Sequence, residues 1–274
     1  MTGLVVIGAG TMGRGIATVA VRAGYDTTIV DVDGDVLATV CAEVERRATR
    51  DGALSDAGLG ALHSSRDIEV PVAGAAVVIE AVPEVDTIKR ELFARLAALA
   101  PPAALLATNT STMSVTALAE AAGGSPRVVG MHFFNPAHRM ALVEIVVGAA
   151  TSDTTVADAR ALALALGKDP VLVRDVPGFI TSRLGLLLGN EAMRILEEGV
   201  ASAADIDKAL RLGYGHPMGP LELADLVGLD ARLNNLRSMV ERSGSAQYQP
   251  PAILLRLVAE GRLGKKTGAG FYDY

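Results

Sequence analysis

Gly8-Ala9-Gly10-Thr11-Met12-Gly13 fits G-x-G-x-x-G directly after the apolar run Leu4–Ile7 and directly before a helical pattern. In that frame Gly8 permits a tight turn, Gly10 leaves room for a pyrophosphate against the backbone, and Gly13 lets helix and strand pack closely. The free N–H groups of the helix start then face the anion. A second apolar run ends in Asp31, whose carboxylate would accept hydrogen bonds from an adenosine ribose and repel a 2′-phosphate, which points to NAD rather than NADP. Asn109-Thr110-Ser111 closes another apolar run, at the strand end where open α/β sheets place their ligands. His132, one of only four histidines, lies in Gly130-Met131-His132-Phe133-Phe134-Asn135-Pro136, at the sheet edge where a nicotinamide would lie. Glu144 is embedded in the branched run Leu142-Val143-Glu144-Ile145-Val146, and a charge there is expensive unless paired. A histidine is the economical partner, because a carboxylate on one ring nitrogen fixes the tautomer and raises the basicity of the other. His63, His138 and His216 lack such company and read as structural.

The elements that must hold these groups alternate. Leu4–Ile7, Thr27–Val30, Ala76–Ile79, Ala104–Thr108, Val128–Met131 and Leu142–Val147 read as strands, and Met12–Ala23, Val36–Arg50 and Ile88–Leu99 as helices. This alternation predicts an α/β fold with a parallel, doubly wound sheet. After Asp175-Val176-Pro177-Gly178 strand signals nearly vanish and amphipathic stretches take over: Leu184, Leu187, Leu188, Ala192, Ile195 and Leu196 recur at helical spacing. The expected division is therefore residues 1–177 as a dinucleotide-binding domain and 178–274 as an all-helical domain.

Composition narrows the classes. Lys and Arg number 25 against 31 Asp and Glu, a net charge of −6, which disfavours a nucleic-acid partner. The lone Cys41 excludes intrachain disulfides and multi-cysteine metal sites and fits a reducing cytoplasm. Mean hydropathy is +0.35, yet no run approaches the roughly 18 apolar residues of a membrane span. A cytoplasmic protein without membrane or metal is expected. The helical half carries more apolar face than a small bundle can hide, which predicts a homodimer.

Taken together, the residues resemble the short-chain L-3-hydroxyacyl-CoA dehydrogenases, especially the bacterial 3-hydroxybutyryl-CoA dehydrogenases. The resemblance runs through Gly8–Gly13, Ile79-Glu80-Ala81-Val82-Pro83-Glu84, Asn109-Thr110-Ser111, Gly130–Pro136 with Glu144, Pro177-Gly178-Phe179-Ile180, His216–Leu223, Asp225–Asp230 and Leu263–Gly268. It implies a Rossmann-type domain followed by a helical dimerisation domain, NAD as cofactor and an acyl-CoA substrate. It further implies that His132 is the catalytic base, Glu144 its partner, and Ser111 a contact to the reacting oxygen. Gly8, Gly10, Thr11, Met12, Gly13 and Asp31 would hold the cofactor, with Glu84, Lys89, Asn109 and Asn135 around cofactor and active site, Asn135 also toward substrate. Two departures stand out. The family commonly has Asn within Pro-Gly-Phe-x-x-Asn-Arg where this chain has Ser182, a shorter hydroxyl that could hold a water in the amide's place. The segment between Asp31 and Glu84 looks shorter than the family's CoA-gripping arm; Arg46, Arg47 and Arg50 fall there and either meet CoA phosphates or form a solvated helix face.

The expected chemistry is proton transfer between the substrate C3 hydroxyl and His132 as hydride moves between C3 and the nicotinamide, with Glu144 stabilising the imidazolium. Three rivals differ from it. A dehydrogenase of free β-hydroxyacids would need a catalytic Lys between Pro177 and Ala204, where none occurs. One acting on carrier-protein thioesters would share every catalytic residue and want a basic docking patch, for which Arg262, Lys265 and Lys266 are candidates. A non-catalytic NAD-binding protein predicts damage to the His–Glu pair, yet both residues are present.

Overall fold

The uninterrupted apolar run forms β1 (Leu4–Ile7) in the computed structural model, which describes residues 3–54, 56 and 58–274. All four side chains are buried, as a strand covered on both faces requires. Gly8 turns the chain at φ +102°, where a Cβ would lie 2.6 Å from the Ala81 carbonyl oxygen. α1 (Thr11–Arg22) follows, and its Ile16, Ala17 and Ala20 join Val6, Ile29, Ile79, Ala107 and Met131 in the main core. β2 (Thr27–Val30) leads to α2 (Gly34–Asp51), started by Asp33, whose carboxylate accepts the amides of Asp35 and Val36. Then come β3 (Leu62–Ser65), α3 (Glu69–Ala73), β4 (Val77–Glu80), α4 (Asp86–Leu99), β5 (Leu105–Thr108) and α5 (Val115–Ala121). The first compact unit, Met1–Val176, closes with β6 (Val128–Phe133), β7 (Leu142–Val147), α6 (Asp153–Ala165) and β8 (Asp169–Arg174).

These strands make one eight-stranded sheet in the order β3-β2-β1-β4-β5-β6-β7-β8. It is mostly parallel, with one departure from the parallel expectation: β7 runs antiparallel to β6. The chain between them, residues 134–141, holds no helix, and a parallel crossover needs a dozen residues or more. β8 is then parallel to β7, reached through α6. The reversal sets His132 directly opposite Glu144 across the ladder. β6 also extends past Met131, so His132 sits within a strand rather than after one. β3 and β8 have no counterpart in the sequence-predicted elements. Both are edge strands; β3 reads Leu-His-Ser-Ser without apolar alternation, and β8 opens on Asp-Pro.

The second unit, Pro177–Tyr274, is helical: α7 (Thr181–Glu197), α8 (Ala203–Tyr214), α9 (Pro220–Val227), α10 (Leu229–Ser243) and α11 (Ala252–Ala259). Met193, Leu221, Leu229, Leu236, Met239 and Leu254 form its core. Two buried acids fasten its C-terminal segment. Asp225 accepts the amides of Phe271 and Tyr272 and the Tyr274 hydroxyl, and Asp207 accepts the Tyr272 hydroxyl together with the amides of Leu221 and Glu222. Burial and then these carboxylates push both tyrosine hydroxyls above their usual range. Among the described residues, no helix is long and apolar enough to cross a membrane.

Candidate active site

The glycine turn has the shape of a dinucleotide cradle. A Cβ on Gly13 would come within 1.7 Å of the Gly8 carbonyl oxygen, so the start of α1 presses directly on the turn. A Cβ on Gly10 would meet nothing within 4 Å, which leaves open space in front of the helix. Gly10 caps α1 without a side-chain bond to its first-turn amides, so those donors are available to an anion. Asp31, one residue past β2, fastens the turn from the side: Oδ2 accepts the Ala9 amide at 2.7 Å and Oδ1 the Asp33 amide at 3.0 Å. A cavity of about 440 Å³ opens beside Gly8 and Asp31, lined largely by Val32, Ile68, Val82, Pro83, Ile88 and Leu92. Its largely apolar lining next to the Asp31 carboxylate has room for a flat ring. The residues present thus suit a bound NAD.

A second cavity of about 330 Å³ in the same unit is lined by Met12, Glu84, Asn109, Ser111, His132 and Asn135, with Phe133 and Phe134. Six sequence-predicted site residues converge on it. His132 Nδ1 and Glu144 Oε2 are 2.8 Å apart, with Glu144 fully buried and His132 nearly so. The short contact follows from the antiparallel register, in which directly opposed side chains share one face of the sheet. The Phe134 ring lies 4.5 Å from the imidazole, centroid to centroid, and confines it. Asn109 sits at the end of β5, and its Oδ1 accepts the Phe133 amide at 2.9 Å, tying the Asn109-Thr110-Ser111 corner to the strand that carries His132.

Glu84 grips that same corner. Its Oε1 accepts the Thr110 hydroxyl and, at 3.1 Å, the Ser111 amide. Its other oxygen stands 2.8 Å from the Lys89 ammonium. Lys89 is fully buried behind the cavity and does not line it; its nitrogen also lies 2.9 Å from Glu80. Burial raises the Glu84 carboxyl, but Lys89, Thr110 and the Ser111 amide outweigh it and hold the group below the usual carboxylate range. Glu80 behaves oppositely. Burial dominates and pushes it up, although Lys89, the Thr108 hydroxyl and the Val82 amide all favour its charge. Glu80 has no assigned role in the sequence reading, even though an acid closing the run Val77-Val78-Ile79 is the same signal that marked Glu144.

The remaining candidates lie elsewhere. Arg46 is exposed on α2, Arg47 pairs with Glu43, and Arg50 with Asp51 at 2.8 Å. Burial and then the charges of Arg47, Arg139 and Arg50, opposed by Asp51, hold His138 below its usual range, so Arg47 and Arg50 of α2 share their surroundings with the loop after β6. Ser182 is half-buried near the start of α7 in the helical unit.

A family model described as 3-hydroxyacyl-CoA dehydrogenase, NAD binding domain, matches residues 3–176, and one described as 3-hydroxyacyl-CoA dehydrogenase, C-terminal domain, matches residues 178–274. A 3-hydroxybutyryl-CoA dehydrogenase of Bradyrhizobium diazoefficiens is 40% identical over 98% of this chain and 94% of its own length. A 3-hydroxyadipyl-CoA dehydrogenase of Escherichia coli is 43% identical over 98% of this chain and 58% of its own. The crystal structure of (S)-3-hydroxybutyryl-CoA dehydrogenase from Ralstonia eutropha superposes with a TM-score of 0.91 at 36% identity, covering 100% of this chain and 99% of that one.

Proposed function

Because the chain belongs to the 3-hydroxyacyl-CoA dehydrogenase family, with a matched NAD-binding domain, we propose that it interconverts (S)-3-hydroxybutyryl-CoA and acetoacetyl-CoA using NAD(H). The observation that carries this reading is the His132–Glu144 pair, 2.8 Å apart, whose histidine lines a cavity together with Ser111, Asn109 and Met12 of the glycine turn. Bound NAD supplies the hydride acceptor, or NADH the donor, for C3. With Glu144 accepting from Nδ1–H, Nε2 is the ring nitrogen that takes the proton from the C3 hydroxyl in oxidation and returns it in reduction. Glu144 stabilises the imidazolium that forms, as a buried carboxylate does for a positioned base. The Ser111 hydroxyl donates to the C3 oxygen as its charge grows. Glu84 positions Ser111 by holding its amide and the neighbouring Thr110, while Lys89 keeps Glu84 ionised. Ser182 stands near the start of α7, where the family commonly has Asn. Arg46 and Arg50, with Arg139, meet the CoA phosphates.

NADH oxidation with acetoacetyl-CoA, its carrier-protein thioester and free acetoacetate tests the substrate assignment. The expected order is the CoA thioester well ahead of both alternatives. Equal or faster turnover of either would reject it.

The active form in this reading is a cytoplasmic homodimer assembled through the helical unit. Leu184 and Leu188 of α7 and Leu223, Leu226 and Val227 of α9 are exposed apolar side chains on that unit. Such surface calls for a partner of like kind. Sedimentation at micromolar protein is expected to give a dimer, and Leu184→Glu with Leu226→Glu a monomer. A monomeric wild type would reject this assembly.

A further inference from the structure

The cavity beside Asp31 contains a cation that neither the glycine turn nor the acid–base pair uses. Arg66 follows directly on β3, which pairs in parallel with β2 so that Ser65 stands opposite Val30. The Asp31 amide donates to the Ser65 carbonyl at 3.2 Å, so Arg66 and Asp31 are the next residues along the two neighbouring strands. Both line the cavity. The Arg66 guanidinium lies across the turn between β2 and α2. Its Nη2 donates to the Val32 carbonyl at 3.3 Å, and its Nε and Cζ would be 3.7 Å from a Cβ on Gly34. It forms no ion pair among the described residues.

We propose that Arg66 is a cofactor-specificity residue: its guanidinium flanks the adenosine of NAD(H), and the Asp31 carboxylate is what keeps it from accepting a 2′-phosphate. The inference rests on reading this cavity as the adenosine end of the cofactor site. A guanidinium is planar and permanently charged. It stacks on a flat ring and pairs with phosphate through two parallel donors. With Asp31 present, a 2′-phosphate meets a carboxylate whose amide partners hold it in place. Without that charge, the cation at the adjoining strand end is Arg66. Arg95 lines the same cavity from α4 and is the competing cation.

Calorimetric titration of the full-length protein with NADH and with NADPH separates these roles without recourse to activity. Wild type is expected to prefer NADH. Asp31→Asn keeps an oxygen for the Ala9 amide and gives up only the exposed Asp33 contact; it should gain about tenfold or more in NADPH affinity, the order of one charge-assisted contact. Adding Arg66→Ala should erase that gain, whereas adding Arg95→Ala should leave it. Arg66→Ala alone should weaken NADH severalfold. Persistence of the gain without Arg66, its loss with Arg95 instead, or no gain in Asp31→Asn or in Asp31→Ser would overturn the proposal. Unchanged NADH affinity in both Asp31 variants would overturn the adenosine assignment itself, an outcome distinct from the failure of Arg66.

Discussion

Glu144→Gln is expected to lower turnover with acetoacetyl-CoA and NADH by roughly a hundredfold or more, the usual worth of positioned general acid–base catalysis. The amide can still accept from His132 Nδ1, but it carries no charge to stabilise an imidazolium. His132→Ala should be at least as harmful. The double variant should be little worse than the worse single one, because the pair acts as a unit. NADH affinity should survive all three changes, since the glycine turn and Asp31 are untouched. Steady-state kinetics with a parallel NADH titration check this. Near-normal turnover in Glu144→Gln would remove Glu144 from the mechanism, and independent multiplying losses would mean that the two residues do not work as a pair.

Lys89→Met is expected to be the most destabilising single change in the site. It strips the cation from Glu80, which like Lys89 is fully buried, and breaking such a pair typically costs about 3–5 kcal/mol. Burial already raises the Glu80 carboxyl despite Lys89, and without the ammonium it rises further. A carboxyl whose pKa is higher folded than unfolded takes up a proton on folding, so stability falls as pH rises between the two values. The deficit of Lys89→Met should therefore be larger at neutral pH than in mild acid. Glu84 has the opposite sign. Its lowered pKa contributes stability that is present above the ordinary carboxylate range and is lost as pH falls through the lowered value. Removing Lys89 moves that loss to higher pH, and the acid limb of activity should move with it, because Glu84 holds the Ser111 corner. Adding Glu80→Gln should restore part of the stability, since a neutral amide tolerates the site better than an unpaired charge. Urea unfolding of the three proteins at two pH values measures this. A Lys89→Met protein as stable as wild type, or a double variant less stable than the single, would show that the buried pair is not what the site depends on.

The parts of this molecule legible in the sequence are those where one physical demand admits few residue types. The turn at Gly8 and Gly13 leaves no room for a Cβ, so its glycines announce themselves. Glu144 inside a branched apolar strand demanded a partner, and the antiparallel register supplies His132 as that partner. What stayed hidden depended on edges and on pairing at a distance. β3 is a polar edge strand with no alternation, and without it Arg66 has no place beside Asp31. The reversal at β7 is encoded in the absence of a crossover helix, a weaker signal than any motif. Glu80 and Lys89 meet only because α4 folds back over the end of β4, which no local spacing reveals.

Single-turnover reduction, with enzyme in excess over NADH and acetoacetyl-CoA supplied, tests the proposed activity most directly. One equivalent of (S)-3-hydroxybutyryl-CoA per NADH consumed is the expected result, at a rate that collapses in His132→Ala while NADH remains bound. Bound NADH that is not consumed in the presence of the thioester, or product of the opposite configuration, would contradict it.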